Sequence, residues 1–425
     1  MLSRVCSGAG MAERAATCAG CGCGCDDIEV AVAAGALERA TGTCPLGDAW
    51  FAERTAHAPA PARVDGREVD FADAVEASAA ILREARLPLV CGLGQTDREG
   101  QRAAVSLAEA IGAVIDPAGP LDDGGFGAAA QAIGLSTATF GDLRDRAEFV
   151  LAWRADPVAS NPRLLPRLRL DRAGRAAEHT LVVIDAQRTA TADEADEFIE
   201  LPPELDFEAL WVMRALVRDV PLDRDRAARL PLDALERLAG RLRACNYGAL
   251  LHRPAGYLNA LALLALVRDL ARVAHVVALL LRQDGNARGA EDVLAWQTGY
   301  PAAVSFARGH PRSRPGEFSA AGLLERGETD AALIVGFDAL RHLPSRAADH
   351  LRGIPTIVVD PRATETAAAA RVGFATAAAG VQREGTVHRM DGVPLTLRAP
   401  LASERPGDGE VLAAIEARVA GEGGT

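Results

Sequence analysis

Lysine is absent from this chain: all 46 basic residues are arginine. That absence excludes Schiff-base catalysis, covalent pyridoxal phosphate and the phosphate-gripping lysine of a P-loop, each of which needs an ε-amine. Also missing are any H-x-H or H-E-x-x-H pair among the 8 histidines and any G-x-S-x-G elbow. Neither a histidine-built metalloprotease centre nor a self-sufficient serine hydrolase can be assembled. The longest apolar region, around Leu261 to Leu281, is broken by Arg268, Asp269 and Arg272, so no membrane span is expected. Met1 to Gly10 lacks the apolar stretch of a secretory peptide; a reducing, cytoplasmic compartment follows, with Met11 an alternative start. A basic stripe is lacking as well. Arginine is dispersed among 58 acidic residues and the net charge is -12, a surface that repels phosphate backbones, so no nucleic-acid partner is expected.

What the chain does have is cysteine at one end: six of its 8 cysteines precede residue 45. Cys18, Cys21 and Cys25 form C-x2-C-x3-C, and Cys44 is a distant fourth. Such spacing lets one short loop aim three thiolates at a common centre while a remote cysteine closes it, as in Fe–S proteins. The expected occupant is a 4Fe–4S cluster. Zinc held by four thiolates, an empty relic and a disulfide are the alternatives, and Cys23 offers a fifth thiol that could replace a neighbour.

With 425 residues and 49% hydrophobic content, the chain is long enough for two or three domains with buried cores. Pro/Ala-rich His57 to Arg63 reads as a linker, and a helix is expected from Phe71 to Ala85. Strand-like runs then alternate with helical ones: Leu87–Leu93, Ala113–Ile115, Glu148–Trp153 and Thr180–Ile184, with a helix around Gln101–Ile111. Leu201-Pro202-Pro203 interrupts the series before helical Phe207–Val217 and Leu232–Leu242. Further strands are expected at Tyr247–Leu251, His275–Leu281, Ala331–Val335 and Thr356–Val359, with helices at Leu258–Leu270 and Glu410–Val419 and a disordered Gly-rich tail. This alternation predicts an α/β fold: a Cys-rich Fe–S type domain over residues 1–57, then two doubly wound parallel α/β lobes over 58–204 and 205–425, approximate or interleaved. Gly92 and Gly94 follow a strand, with Asp116 at the distance of a ribose-binding acid. Asp97 stands where a third glycine would receive a pyrophosphate, so a tight structural turn is favoured over nucleotide binding.

Several ordered segments resemble the B subunit of formylmethanofuran dehydrogenase, a molybdopterin oxidoreductase-like family with a counterpart in the bacterial formyltransferase/hydrolase complex. They are Cys18-Ala-Gly-Cys21-Gly-Cys23-Gly-Cys25-Asp26-Asp27-Ile28, Thr139-Phe140-Gly141-Asp142-Leu143, Trp296-Gln297-Thr298-Gly299-Tyr300-Pro301, Pro311-Arg312 with Pro315-Gly316-Glu317, Glu384-Gly385-Thr386, and Arg389-Met390-Asp391-Gly392-Val393-Pro394. The resemblance implies a formate dehydrogenase/DMSO reductase-like fold and Cys18, Cys21, Cys25 and Cys44 as cluster ligands.

The departures bear on chemistry. Where the family's S-V-C-H-G-P-S carries the cysteine ligand of tungsten or molybdenum and its histidine neighbour, this chain has Asp122 and Asp123 in Pro120-Leu121-Asp122-Asp123-Gly124-Gly125-Phe126. A hard carboxylate replaces a soft thiolate, and a second acid replaces imidazole, although the bland alternative is a solvated turn. The family's W-G-C-N-P is Trp153-Arg154-Ala155-Asp156-Pro157, its D-P-R-K-T is Asp185-Ala186-Gln187-Arg188-Thr189, and its R-G-H-Y-N-V-T-G is Arg282 to Gly289 with Asp284 at the histidine. The resemblance therefore implies a scaffold B subunit that has lost redox catalysis and its molybdopterin or tungstopterin. It would work beside A, C and D subunits that handle a methanofuran-type formyl carrier in tetrahydromethanopterin-linked one-carbon metabolism. The alternative is a catalytic B subunit with a bis-pterin metal, Asp122 as ligand and a 4Fe–4S cluster. No catalytic residue is assigned to this chain.

Overall fold

Five strands, Phe149–Trp153, Thr180–Asp185, Glu197–Glu200, Tyr247–His252 and His275–Leu280, pair in parallel, with the first at the centre, the second and third to one side, the fourth and fifth to the other. Their apolar runs are nearly continuous because both faces are covered. Alternation then decides which core each side chain joins. Val150, Ala152, Leu181 and Leu251 point to one core, and Phe149, Leu151, Trp153 and Leu250 to another under helices Asp206–Val217, Leu232–Ala244 and Gly256–Leu270. The computed structural model describes residues 12–56, 60–117, 125–176, 179–225, 227–253 and 255–421.

A second, nine-stranded sheet has a parallel centre of Val114–Asp116, Pro88–Gly92, Ala331–Val335, Thr356–Val359 and Val372–Phe374. Short antiparallel strands finish it: Val304–Ser305 and Arg312–Ser313 on one edge, Ala62–Val64 and Arg67–Glu68 on the other. Helices Phe71–Glu84, Arg98–Ala110, Ala287–Thr298 and Asp408–Val419 cover one face; Ala320–Arg326 and Ser345–Gly353 cover the other.

The division into lobes at 58–204 and 205–425 does not follow the strand pairing. Strands from 58–204 are shared between both sheets, and the five-stranded sheet crosses residue 204. The interleaving follows from pairs such as Leu333 with Val90, joined across more than 240 residues. The end of the expected linker is also structured, because Ala62–Val64 pairs with Val372–Phe374; residues 57–59 lie outside the described residues, as does the glycine-rich end from 422. Helix Arg98–Ala110 begins earlier than expected because Asp97 caps it, its carboxylate accepting from Gly100 N at 2.8 Å. The N-terminal segment is a three-stranded antiparallel sheet, Ala12–Cys18, Cys25–Ala33 and Ala36–Thr41, followed by helix Pro45–Thr55.

Candidate functional site

The turn between the first two N-terminal strands carries Cys18, Cys21, Cys23 and Cys25, and Cys44 is the N-cap of the following helix. This places four of the five around one narrow cleft: Cys18, Cys21, Cys25 and Cys44 line it with Ile28, Thr43, Leu46, Gly47 and Arg163, around a space of about 10 Å³. Cys23, fully buried, is not among the lining residues. Gly47, in the first turn of the helix, leaves room beside the thiol: a Cβ there would stand 3.2 Å from Cys18 Sγ. Burial pushes the Cys18 thiol up to about 12, with the neighbouring thiols adding to the effect. The Cys23 thiol bonds Cys21 and draws it down to about 6. Among the described residues, no three His, Cys, Asp or Glu side chains converge closely enough to hold a single metal ion.

Two cations missed in the sequence clasp this turn. Arg163 forms a two-pronged pair with Asp27 at 2.7 and 2.8 Å, and Arg167 reaches Asp26 at 3.1 Å and the carbonyl of Cys23 at 3.2 Å. The adjacent acids Asp26 and Asp27 were the available signal, since two carboxylates beside a thiolate loop need counter-charge; which of 46 arginines supplies it depends on a fold that brings residue 163 to residue 27.

The turn also sits where the two parallel sheets meet. Their carboxyl-end loops touch: Gln95 Nε2 donates to Asp284 Oδ1 at 3.0 Å, and Asn286 N donates to Gly94 O at 2.9 Å. The cysteine turn packs on the same 282–286 loop, with Gly22 N bonded to Arg282 O at 3.2 Å. A Cβ on Gly285 would lie 1.9 Å from Ala19 O, so only glycine allows this approach. The Gly92 turn is structural, because at φ 100° its hypothetical Cβ would meet Val335 O at 2.4 Å. Asp116 is committed to Ala303 N and Ala320 N at 3.2 and 2.8 Å, so the ribose role has no acid to fill it.

In an open α/β sheet, ligands enter at the carboxyl ends where strand order reverses. In the five-stranded sheet that point lies between Trp153 and His252. Arg154 follows the first of these strands and turns away from that point. Its backbone is left-handed, φ 53°, and its guanidinium bonds Asp206 at 2.9 Å, Asp185 at 3.3 Å and Leu201 O at 2.6 Å, on the side of strands Thr180–Asp185 and Glu197–Glu200, while Trp153 Nε1 donates to Asp206 at 3.1 Å. Side-chain exposure is 11% for Arg154 and 4% for Asp206, so the network is buried at the carboxyl ends of those strands. Neighbouring His252 is fully buried, its ring nitrogens have no partner among the described residues, and burial with Arg282 nearby pushes it down to about 3.

No protein-family model matches the chain. Among curated proteins it is 35% identical over 345 residues to the B subunit of the tungsten-containing formylmethanofuran dehydrogenase 2 of Methanocaldococcus jannaschii, covering 79% of each. The chain belongs to the family of formylmethanofuran dehydrogenase B subunits. It is also 30% identical over 280 residues to the B subunit of the formyltransferase/hydrolase complex Fhc of Methylorubrum extorquens, covering 64% of this chain and 73% of that one. The solved complex of that organism, FhcABCD with methylofuran, contains a chain that matches at a TM-score of 0.70 and 27% identity, over 85% of this chain and 99% of its own. Acetylene hydratase from Pelobacter acetylenicus shares the fold at a TM-score of 0.61 and 13% identity, over 89% of this chain and 64% of its own.

Within the formylmethanofuran dehydrogenase B family, the position of Arg154 is informative: the resemblance puts glycine there, and this chain keeps the glycine-like φ while filling the space with a cation. Asp284, at the family's histidine, is spent on Gln95. Asp185 opens the altered D-P-R-K-T segment and pairs with Arg154, and Thr189 caps the next helix, accepting from Ala192 N at 3.3 Å. Asp122 and Asp123 fall in 118–124, outside the described residues. Among the described residues, no helix is long and apolar enough to cross a membrane.

Proposed function

We propose that this chain is the B subunit of a formyltransferase/hydrolase complex of the formylmethanofuran dehydrogenase type, serving as a scaffold without redox catalysis of its own. One observation supports the reading: where the family resemblance puts glycine, this chain has Arg154, held by Asp206, Asp185 and Leu201 O at the carboxyl ends of the five-stranded sheet. A guanidinium there replaces the bare backbone that glycine would offer a cofactor. The partners are A, C and D subunits that act on a methanofuran-type carrier, a reading supported by the likeness to a chain of FhcABCD, whose structure holds methylofuran.

We read the cysteine cleft as the site of a 4Fe–4S cluster, on the spacing of its thiols. Cys18, Cys21, Cys25 and Cys44 would hold it, Gly47 leaves room beside Cys18 Sγ, and Arg163 and Arg167 offset the charge of the thiolates. Four thiolates would also hold one zinc ion, each sulfur about 2.3 Å away, and metal analysis separates the two. Such a cluster would cross-link the cysteine turn of a small sheet that packs into the core shared with the five-stranded sheet.

The second reading, a catalytic subunit with a bis-pterin metal, is favoured by the same four cysteines and by the tungsten-containing relatives. Growth without tungsten or molybdenum separates the two. The scaffold reading expects an intact four-subunit complex that still releases formate from the formylated carrier; loss of that activity, or a chain that purifies alone, overturns it.

A further inference from the structure

The nine-stranded sheet ends in a hairpin whose charge runs against that of the chain. Acids number 58 in 425 residues, yet none occurs from Val293 to Gly316, a stretch that carries Arg308, His310, Arg312 and Arg314. Arg314 pairs with Glu317 at 2.8 Å. Among the described residues, Arg308 and Arg312 form no ion pair and neither guanidinium donates a hydrogen bond. Arg308 and His310 are exposed at the tip. Arg312 is half-buried, its guanidinium 5.5 Å from the centre of the Phe318 ring and its Nε buried without an acceptor.

Burying part of a guanidinium without a counter-charge is costly, and the ring face offsets only part of that cost. Its terminal nitrogens, which are not buried, are the donors left to meet a carboxylate. Edge strands also carry charge to deter unwanted pairing, and Arg312–Ser313 is the outermost strand here. A deterrent needs no buried Nε, however, and does not account for Arg308 and His310 beyond the strand. The hairpin is also held in shape by its own contacts. Phe306 is buried and its N donates to Ala113 O at 2.9 Å, Gly309 N donates to Phe306 O at 2.8 Å, and His310 Nδ1 lies 3.2 Å from Arg308 O. At φ 73° Gly309 closes the turn, with open space where a Cβ would stand.

Ser305 pairs with Val114, the first residue of its strand, so the tip lies at the amino end of the parallel strands, opposite the carboxyl ends where such sheets receive small ligands. A projecting, preorganised tip suits a protein surface instead. We propose that this hairpin docks an acidic segment of a partner subunit, whose carboxylates pair with Arg308 and Arg312. The partner belongs to the complex proposed above, and the surface rests on that reading. A net charge of -12 disfavours nucleic acid as the occupant. A second copy of this chain is acidic too, but a hairpin docked on a different face of an identical chain makes a head-to-tail contact that builds rings or filaments.

Because the chain has no lysine, Arg308→Lys gives this subunit a single side-chain amine, which carbodiimide coupling joins to a carboxylate in contact with it. Mass spectrometry of the coupled, purified complex should find position 308 linked to an Asp or Glu of another subunit. Arg308→Glu combined with His310→Glu, both at exposed positions, should weaken the hold on that subunit about tenfold on dilution, with the deficit shrinking as salt is raised. An intact complex in which position 308 couples to nothing, to its own chain or to a second copy of it would overturn the surface and leave the complex reading standing. Unchanged dissociation of the doubly reversed variant would do the same. A chain that purifies without partners overturns both.

Discussion

Replacing Asp206 with alanine removes the principal partner of a buried guanidinium that cannot shed its charge. Arg154 would keep only Asp185 at 3.3 Å and Leu201 O at 2.6 Å. Breaking a buried ion pair from one side costs about 3–5 kcal/mol, and the surviving contacts place Asp206→Ala near the lower end, about 3 kcal/mol. Arg154→Gly acts differently. Glycine accepts φ 53° without the roughly 1 kcal/mol that a side chain pays there, and Asp206 keeps the Trp153 Nε1 donor at 3.1 Å. Arg154→Gly should therefore lose less, about 2 kcal/mol. The double variant should fall short of the summed singles by about 2 kcal/mol, since each single already breaks the shared contact. Urea unfolding of all four proteins measures this. Additive single effects would show that the network is not the closed unit described.

Gly285→Ala drives a methyl into Ala19 O and should destabilise by about 3 kcal/mol, loosening the cysteine turn first; limited proteolysis near residue 20 in the variant, ahead of global unfolding, checks it. Asp408, whose folded pKa of about 6 exceeds the ordinary 3.8, costs the wild type stability as pH rises from 4 to 6. Asp408→Asn escapes that loss, so its stability relative to wild type should improve by about 2 kcal/mol between pH 4 and pH 7, read from paired thermal melts. Cys18→Ser should lose iron and acid-labile sulfide from anaerobically prepared protein, whereas Cys23→Ser, outside the cleft, should retain both.

Local pattern made the parallel strands legible. Ala331–Val335 and Thr356–Val359 fall where their apolar, β-branched runs predict, and Phe149–Trp153 and Tyr247–His252 differ from expectation by a residue. The short antiparallel edges escaped because Arg67–Glu68 and Arg312–Ser313 are polar pairs with no periodicity; only their neighbours make them strands. Interleaved lobes were expected as an alternative, but which strands cross was not legible, since nothing near Pro88 signals that its partner lies beyond residue 330. In the site, cysteine spacing indicated which thiols share a cleft and left Cys23 undecided; the fold separates it by burying it off that cleft. The arginine at 154 stood out as a departure from glycine, but its carboxylate partners come from a strand end and a helix start 31 and 52 residues away.

On the proposed reading this subunit holds no metal-bearing pterin. Elemental and pterin analysis of the anaerobically purified complex tests it most directly. About four irons per chain with neither tungsten, molybdenum nor pterin is the predicted result, and stoichiometric tungsten or molybdenum accompanied by pterin would contradict it.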